Sequence, residues 1–162
     1  MEYLIAAIIT WLSINYPLEY TGEYPDITFA PASQITDHWV SRTGALLFVD
    51  ADLNTDGNLP SARDSDLLTK DGKVVAFYDE PGRTIYLTDE WRADSPAHTS
   101  VLVHELVHHL QHLQGKAYRC PAAREQLAYR AQQDWLSMFD TTLEAEFEID
   151  AMTLLVRTRC LF

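Results

Sequence analysis

Cysteine is scarce: the 162 residues include only Cys120 and Cys160. Neither belongs to a Cys-x-x-Cys pair, which argues against a thiolate zinc site. Long apolar runs are missing too. No stretch of about 18 apolar residues occurs, so no membrane span is encoded. Basic residues are few, 12 Lys and Arg against 24 Asp and Glu, for a formal net charge of −12. That balance disfavours nucleic acid and anionic membrane surfaces, whose phosphates repel it. It does not identify a substrate. Internal repeats and low-complexity linkers are absent, and the length suits a single domain spanning residues 1–162. Basic residues are also missing from the apolar opening segment: Glu2 stands where the positive part of a signal sequence is expected, and no small-residue cleavage site follows. Residues 3–14 are therefore expected to form a buried amphipathic helix.

The two cysteines could pair, tying the C-terminus to the middle of the chain. That pairing would go with a secreted or periplasmic setting, and two reduced thiols with the cytoplasm. The pairing is the preferred reading.

Along the chain, the first helix is expected to end at Asn15-Tyr16-Pro17. Residues 26–30 form a short strand candidate, 33–42 a short helix and 45–49 another strand candidate. A polar stretch runs from Asp50 to Asp71. Residues 73–78 and 84–88 read as two strands of a hairpin joined by Asp79-Glu80-Pro81-Gly82-Arg83. Ser95 then precedes Pro96 as cap and first-turn residue of a helix. This helix runs to about Gln114 and stops at Gly115. Pro121 opens another, to about Phe139. Thr141 and Thr142 open a third, with Glu144, Glu146 and Glu148 near its positive end and Arg157 and Arg159 near its negative end. The expected class is α+β: a small antiparallel or mixed sheet, followed by an active-site helix and two further helices.

Chemistry concentrates in His104-Glu105-Leu106-Val107-His108. Residues four apart on a helix lie about 40° apart around its axis and one turn apart along it. Two imidazoles so placed can offer nitrogens to one zinc ion about 2.0–2.1 Å away. Glu105, rotated by about 100°, flanks such an ion where a general base must stand to take a proton from water. The neighbours Val101, Leu102, Val103, Leu106, Val107 and Leu110 are apolar. Burying two histidines and a glutamate among them is costly unless a metal and hydrogen bonds satisfy them.

Catalytic zinc usually takes a third protein ligand. The six histidines are His38, His98, His104, His108, His109 and His112, and none lies further on. The pattern HExxHxxGxxH fails at Gln111 and Gln114, leaving a downstream carboxylate. Glu125 is the best placed, early in the Pro121 helix and separated from the first helix by a short turn. Ala128, Tyr129 and Gln132 share its face. Alanine would permit close helix approach, and Tyr129 and Gln132 could supply polar contacts near the metal. Glu144, Glu146 and Glu148 look like first-turn acids on a solvated surface, and Asp134 lies on another face.

These residues, from Val103-His104-Glu105-Leu106-Val107-His108-His109-Leu110 to Glu125-Gln126-Leu127-Ala128-Tyr129, resemble the zincin metallopeptidases of the gluzincin branch. They are especially similar to small bacterial HExxH proteins. The resemblance covers roughly residues 84–139. It implies a zincin-like fold, His104, His108 and Glu125 as zinc ligands, and Glu105 as general base. By the same analogy residues 84–88 would be the sheet edge that holds a peptide or protein substrate in extended form. Better-known gluzincins carry an aspartate four residues after the glutamate, where Tyr129 stands here. Their downstream histidine that steadies the oxyanion is missing. Tyr129 either takes that catalytic role or is a structural tyrosine packed between helices.

His109 faces away from the ligand pair and reads as a packing or surface residue. His112 could line the cleft, and His98 belongs near the helix start. A separate cofactor candidate is Asp52, Asn54 and Asp56 with Gly57, which match the first positions of a calcium loop. Position twelve is Arg63 rather than an acid, with Asp64 and Asp66 just beyond; the alternative is an Asx-rich turn. The expected function is zinc-dependent hydrolysis, most naturally of peptide bonds. The alternatives are a non-catalytic zinc-binding interaction module on the same scaffold and a zinc-free interaction domain.

Overall fold

The computed structural model describes residues 1–43, 68–70 and 73–160. The strand candidate at 45–49 and the calcium-loop candidate from Asp52 to Gly57, with Asp64 and Asp66, lie outside the described residues. Within them the order is α1 (Glu2–Asn15), β1 (Asp26–Ala30), α2 (Ala32–Thr43), β2 (Leu68–Lys70), β3 (Lys73–Asp79) and β4 (Thr84–Thr88). Then come α3 (Pro96–Leu113), α4 (Pro121–Ser137), α5 (Leu143–Phe147) and α6 (Ala151–Thr158).

The sheet is mixed, in the order β1-β4-β3-β2. β3 and β4 pair antiparallel, as the Pro-Gly link between them predicts, with Tyr78 opposite Ile85. β1 returns to β4 in parallel, from Asp26 opposite Thr84 to Ala30 opposite Thr88. β4 is therefore an interior strand. Its backbone groups are bonded on both sides, so it is not the substrate-binding edge that the family resemblance implies.

Alternation along the strands divides the layers. Ala76, Tyr78, Ile85 and Leu87 join the main core with α1, α3, α4 and α5. Phe77 on the opposite face packs with Ile35 of α2, with Tyr86 and Trp39 partly buried beside them. α1 contributes Ile5, Ile8, Ile9 and Leu12, one stripe of an amphipathic helix. No described helix is long and apolar enough to cross a membrane.

The central helix α3 is capped as its sequence predicts. Ser95 Oγ accepts from the His98 amide, and Pro96 occupies the first turn. Residues 99–111 are buried on every side, because sheet, α1 and α4 surround them. Gly115, at φ +59°, ends the run in the left-handed region that glycine enters without strain. A short turn then sends α4 back along α3. The disulfide forms between Cys120, at the start of α4, and Cys160, just beyond α6.

The third C-terminal helix expected from Thr141 onward is in fact two. Thr142 caps α5 through its side chain, but the helix stops at Phe147 and Glu148 turns left-handed at φ +57°. The amides of Glu148 and Ile149 fold back to the carbonyls of Glu144 and Leu143. Asp150 then caps α6 by accepting from the Thr153 amide. The break seats Leu143, Phe147 and Ile149 in the core, and aspartate favours a cap over a helix interior. Glu148 thus sits at the negative end of α5, not in a first turn.

Candidate metal centre

α3 presents His104 and His108 one turn apart, with ring centroids 4.9 Å from each other. α4 packs against this face because Ala128 and Ala131, both fully buried, leave room for close approach. The first turns of α4 then place Glu125 opposite the two imidazoles. His104 Nε2 lies 3.1 Å from Glu125 Oε2, and His108 Nε2 lies 3.1 Å from Glu125 Oε1. All three side chains are 0 % exposed. The three donor atoms lie within 4.8 Å of one another, and the group could hold a metal ion. Donors 2.0–2.1 Å from a tetrahedral ion stand about 3.3 Å apart, close to the two nitrogen–oxygen distances of 3.1 Å.

Two glutamines set the tautomers. Gln111 Nε2 donates to the backbone carbonyl of Arg124 at 3.0 Å, an atom that can only accept. Its Oε1 is thereby the atom that faces His108 Nδ1, at 3.0 Å. His108 must carry its proton on Nδ1. Arg124 Nε lies 3.4 Å from the same nitrogen; with Nδ1 protonated, that approach is a packing contact and no hydrogen bond.

His104 is held in the same way from α4. The Ser100 hydroxyl donates to the Ala97 carbonyl and accepts from Gln132 Nε2. Gln132 Oε1 therefore meets His104 Nδ1, at 3.0 Å. Both histidines keep their protons on Nδ1 and turn Nε2 lone pairs toward one carboxylate. The partners that fix both tautomers are side-chain amides, whereas in metal sites this support comes more often from a carboxylate or a backbone carbonyl. Gln132 was legible from its spacing after Glu125. Gln111 was not recognised, since its role depends on a carbonyl across the turn.

Burial lowers the His104 pKa, although Glu125 opposes the shift. Burial pushes the Glu125 carboxyl upward; His108 and His104 hold it below the ordinary carboxylate range only when their rings are protonated and charged, not in the neutral tautomers set by the two glutamines.

Glu105 is fully buried on α3, next to the ligand pair. Tyr129 stacks the edge of its ring against His104, with centroids 4.7 Å apart. Its hydroxyl accepts from Arg157 of α6 at 2.7 Å. Burial raises its pKa to about 12 against the pull of Arg157, so it stays protonated at neutral pH. Arg157 can only donate, which leaves the tyrosine's own hydrogen available.

The other candidates lie elsewhere. His109 is buried, donating from Nε2 to the Glu23 carbonyl and accepting at Nδ1 from the Tyr78 hydroxyl. His98 accepts the Arg92 amide at the helix start. His112 is half-buried beside Glu80, 3.7 Å away. Glu144 and Glu148 are exposed, Glu146 accepts from Thr141, and Asp134 accepts from Tyr16.

Over residues 50–161 the chain matches, and belongs to, the family described as a domain of unknown function, DUF6647. The match takes in the whole ligand group, Glu105, Tyr129 and both cysteines. No curated protein and no solved structure matches the chain.

Proposed function

We propose that the chain is a zinc-dependent hydrolase acting on peptide bonds. The observation that carries the metal is the tautomer lock. With both Nδ1 atoms protonated, two Nε2 lone pairs face the oxygens of Glu125 at 3.1 Å. That arrangement is repulsive unless a cation lies between them. Protonating both rings instead would seal two imidazolium ions in a dry interior, and burial opposes that. A His₂Glu donor set of neutral nitrogens and one carboxylate suits zinc.

His104, His108 and Glu125 would hold the zinc ion, which when bound would supply Lewis acidity toward water and a carbonyl oxygen. Glu105 takes the proton of the attacking water and passes it to the departing amine. Its burial among apolar neighbours keeps competing water away and strengthens that exchange. Tyr129, protonated and polarised by Arg157, donates to the oxygen on which negative charge develops. Peptide bonds are the favoured substrate because of the resemblance to gluzincins.

Glu105→Gln is the decisive variant. Turnover of a peptide library should fall by about 10²–10⁴-fold with zinc still bound at one equivalent; unaltered turnover refutes the role. A second reading, a zinc-holding interaction module without turnover, is favoured by the complete burial of His104, Glu105, His108 and Glu125. Under it the wild type turns over no peptide, while zinc removal abolishes partner binding.

A further inference from the structure

A cavity of about 470 Å³ opens between the end of α3, the turn that follows it and the start of α4. Its volume lies within the range of small-molecule sites. Lys116, Arg119, Arg124 and His112 line it, and Glu80 is the only acid among its described lining residues. The chain as a whole has twice as many acids as bases, so this wall reverses the local sign of charge. Arg124 is already oriented, 15 % exposed and 2.5 Å from Glu80 Oε1.

A further observation concerns the same wall. Cys120 and Pro121 line the cavity as well. The 17-residue helix α4 therefore begins at the cavity, without a side-chain cap and without an acid in its first turn. The positive end of its dipole adds to the field of the cations.

We infer that this cavity binds a small phosphate-class dianion, either free phosphate or a phosphate monoester. Arg119 and Lys116 supply mobile charge from the rim. Arg124 supplies a fixed fork, for which the anion competes with Glu80. This ligand sits behind His108, on the side of Gln111 and Arg124, whereas the metal donors face Glu125. The inference is independent of the zinc reading and stands or falls without it.

The test is calorimetric titration of the purified full chain with inorganic phosphate, glycerol phosphate and succinate, at low and at physiological salt. Phosphate should bind and weaken at least fivefold between the two salts, with succinate weaker than phosphate. Equal or tighter binding of glycerol phosphate identifies a monoester as the ligand; binding of inorganic phosphate alone identifies the free ion. Lys116 and Arg119 are exposed, so the Lys116→Glu, Arg119→Glu double variant should keep its fold and zinc content while losing at least tenfold in phosphate affinity. Glu80→Gln should tighten binding. Absence of phosphate binding at 10 mM overturns the inference, as does succinate binding more tightly than phosphate or undiminished affinity in the double variant.

Discussion

Replacing Gln132 by leucine removes the amide carbonyl that holds the His104 proton on Nδ1, at similar side-chain volume. The imidazole then has an easy alternative. Its proton can move to Nε2, which already lies 3.1 Å from Glu125 Oε2, and form a hydrogen bond there. That bond occupies both the nitrogen lone pair and the carboxylate oxygen required by the metal. Loss of such supporting partners typically costs 10–100-fold in metal affinity, equivalent to about 1.4–2.7 kcal/mol. Competitive titration against a chromophoric chelator at neutral pH measures it directly. Thermal melting of metal-free and zinc-loaded protein then separates binding from folding. At saturating zinc the stabilisation gained from the ion should shrink by the same 1.4–2.7 kcal/mol or so. The metal-free protein should lose only about 1 kcal/mol, the worth of one buried hydrogen bond. Zinc affinity within twofold of wild type, or equal losses with and without metal, would refute the tautomer argument.

The remaining predictions test other parts of the site and its support. Glu125→Ala should leave only two histidine ligands and drop zinc occupancy below half in purified protein; full occupancy reassigns the third ligand. Tyr129→Phe retains the ring contact with His104 but removes the donated hydrogen. It should lower kcat by about 10²-fold with KM little changed if the oxyanion role is right, whereas a loss of stability alone assigns it to packing. The Cys120–Cys160 bond closes a loop with a sequence separation of 40. In the loop-entropy description it stabilises by about 4 kcal/mol. Chemical denaturation of the double Cys→Ser variant checks this, and a loss below 1 kcal/mol rejects it.

Features set by neighbouring residues were legible before the structure. Ser95-Pro96 starts α3 and Gly115 ends it because capping and left-handed backbone are short-range properties. The His104–His108 spacing is fixed by helical rise and twist. Glu125 was accessible because the short turn leaves α4 little choice but to run back along α3. Its partner Gln132 followed from the same helical face. The break between α5 and α6 was missed because Thr142 and Arg157 fit the ends of one helix as well as they fit two. Burial of Ile149 decides the matter, and that burial exists only once the core is assembled.

By itself, then, the sequence determined helix α3, the His104–His108 pair on one of its faces and the face of α4 that carries Glu125. Each rests on contacts within a few turns of chain. Only the tertiary structure decided which strand is interior, since β1 reaches β4 across 58 residues. It also decided which glutamine atoms face the histidines, because those orientations depend on the Arg124 carbonyl and the Ser100 hydroxyl. Long-range pairing and the direction of a buried amide have no local signature; they follow from what else must be satisfied in the same enclosed space.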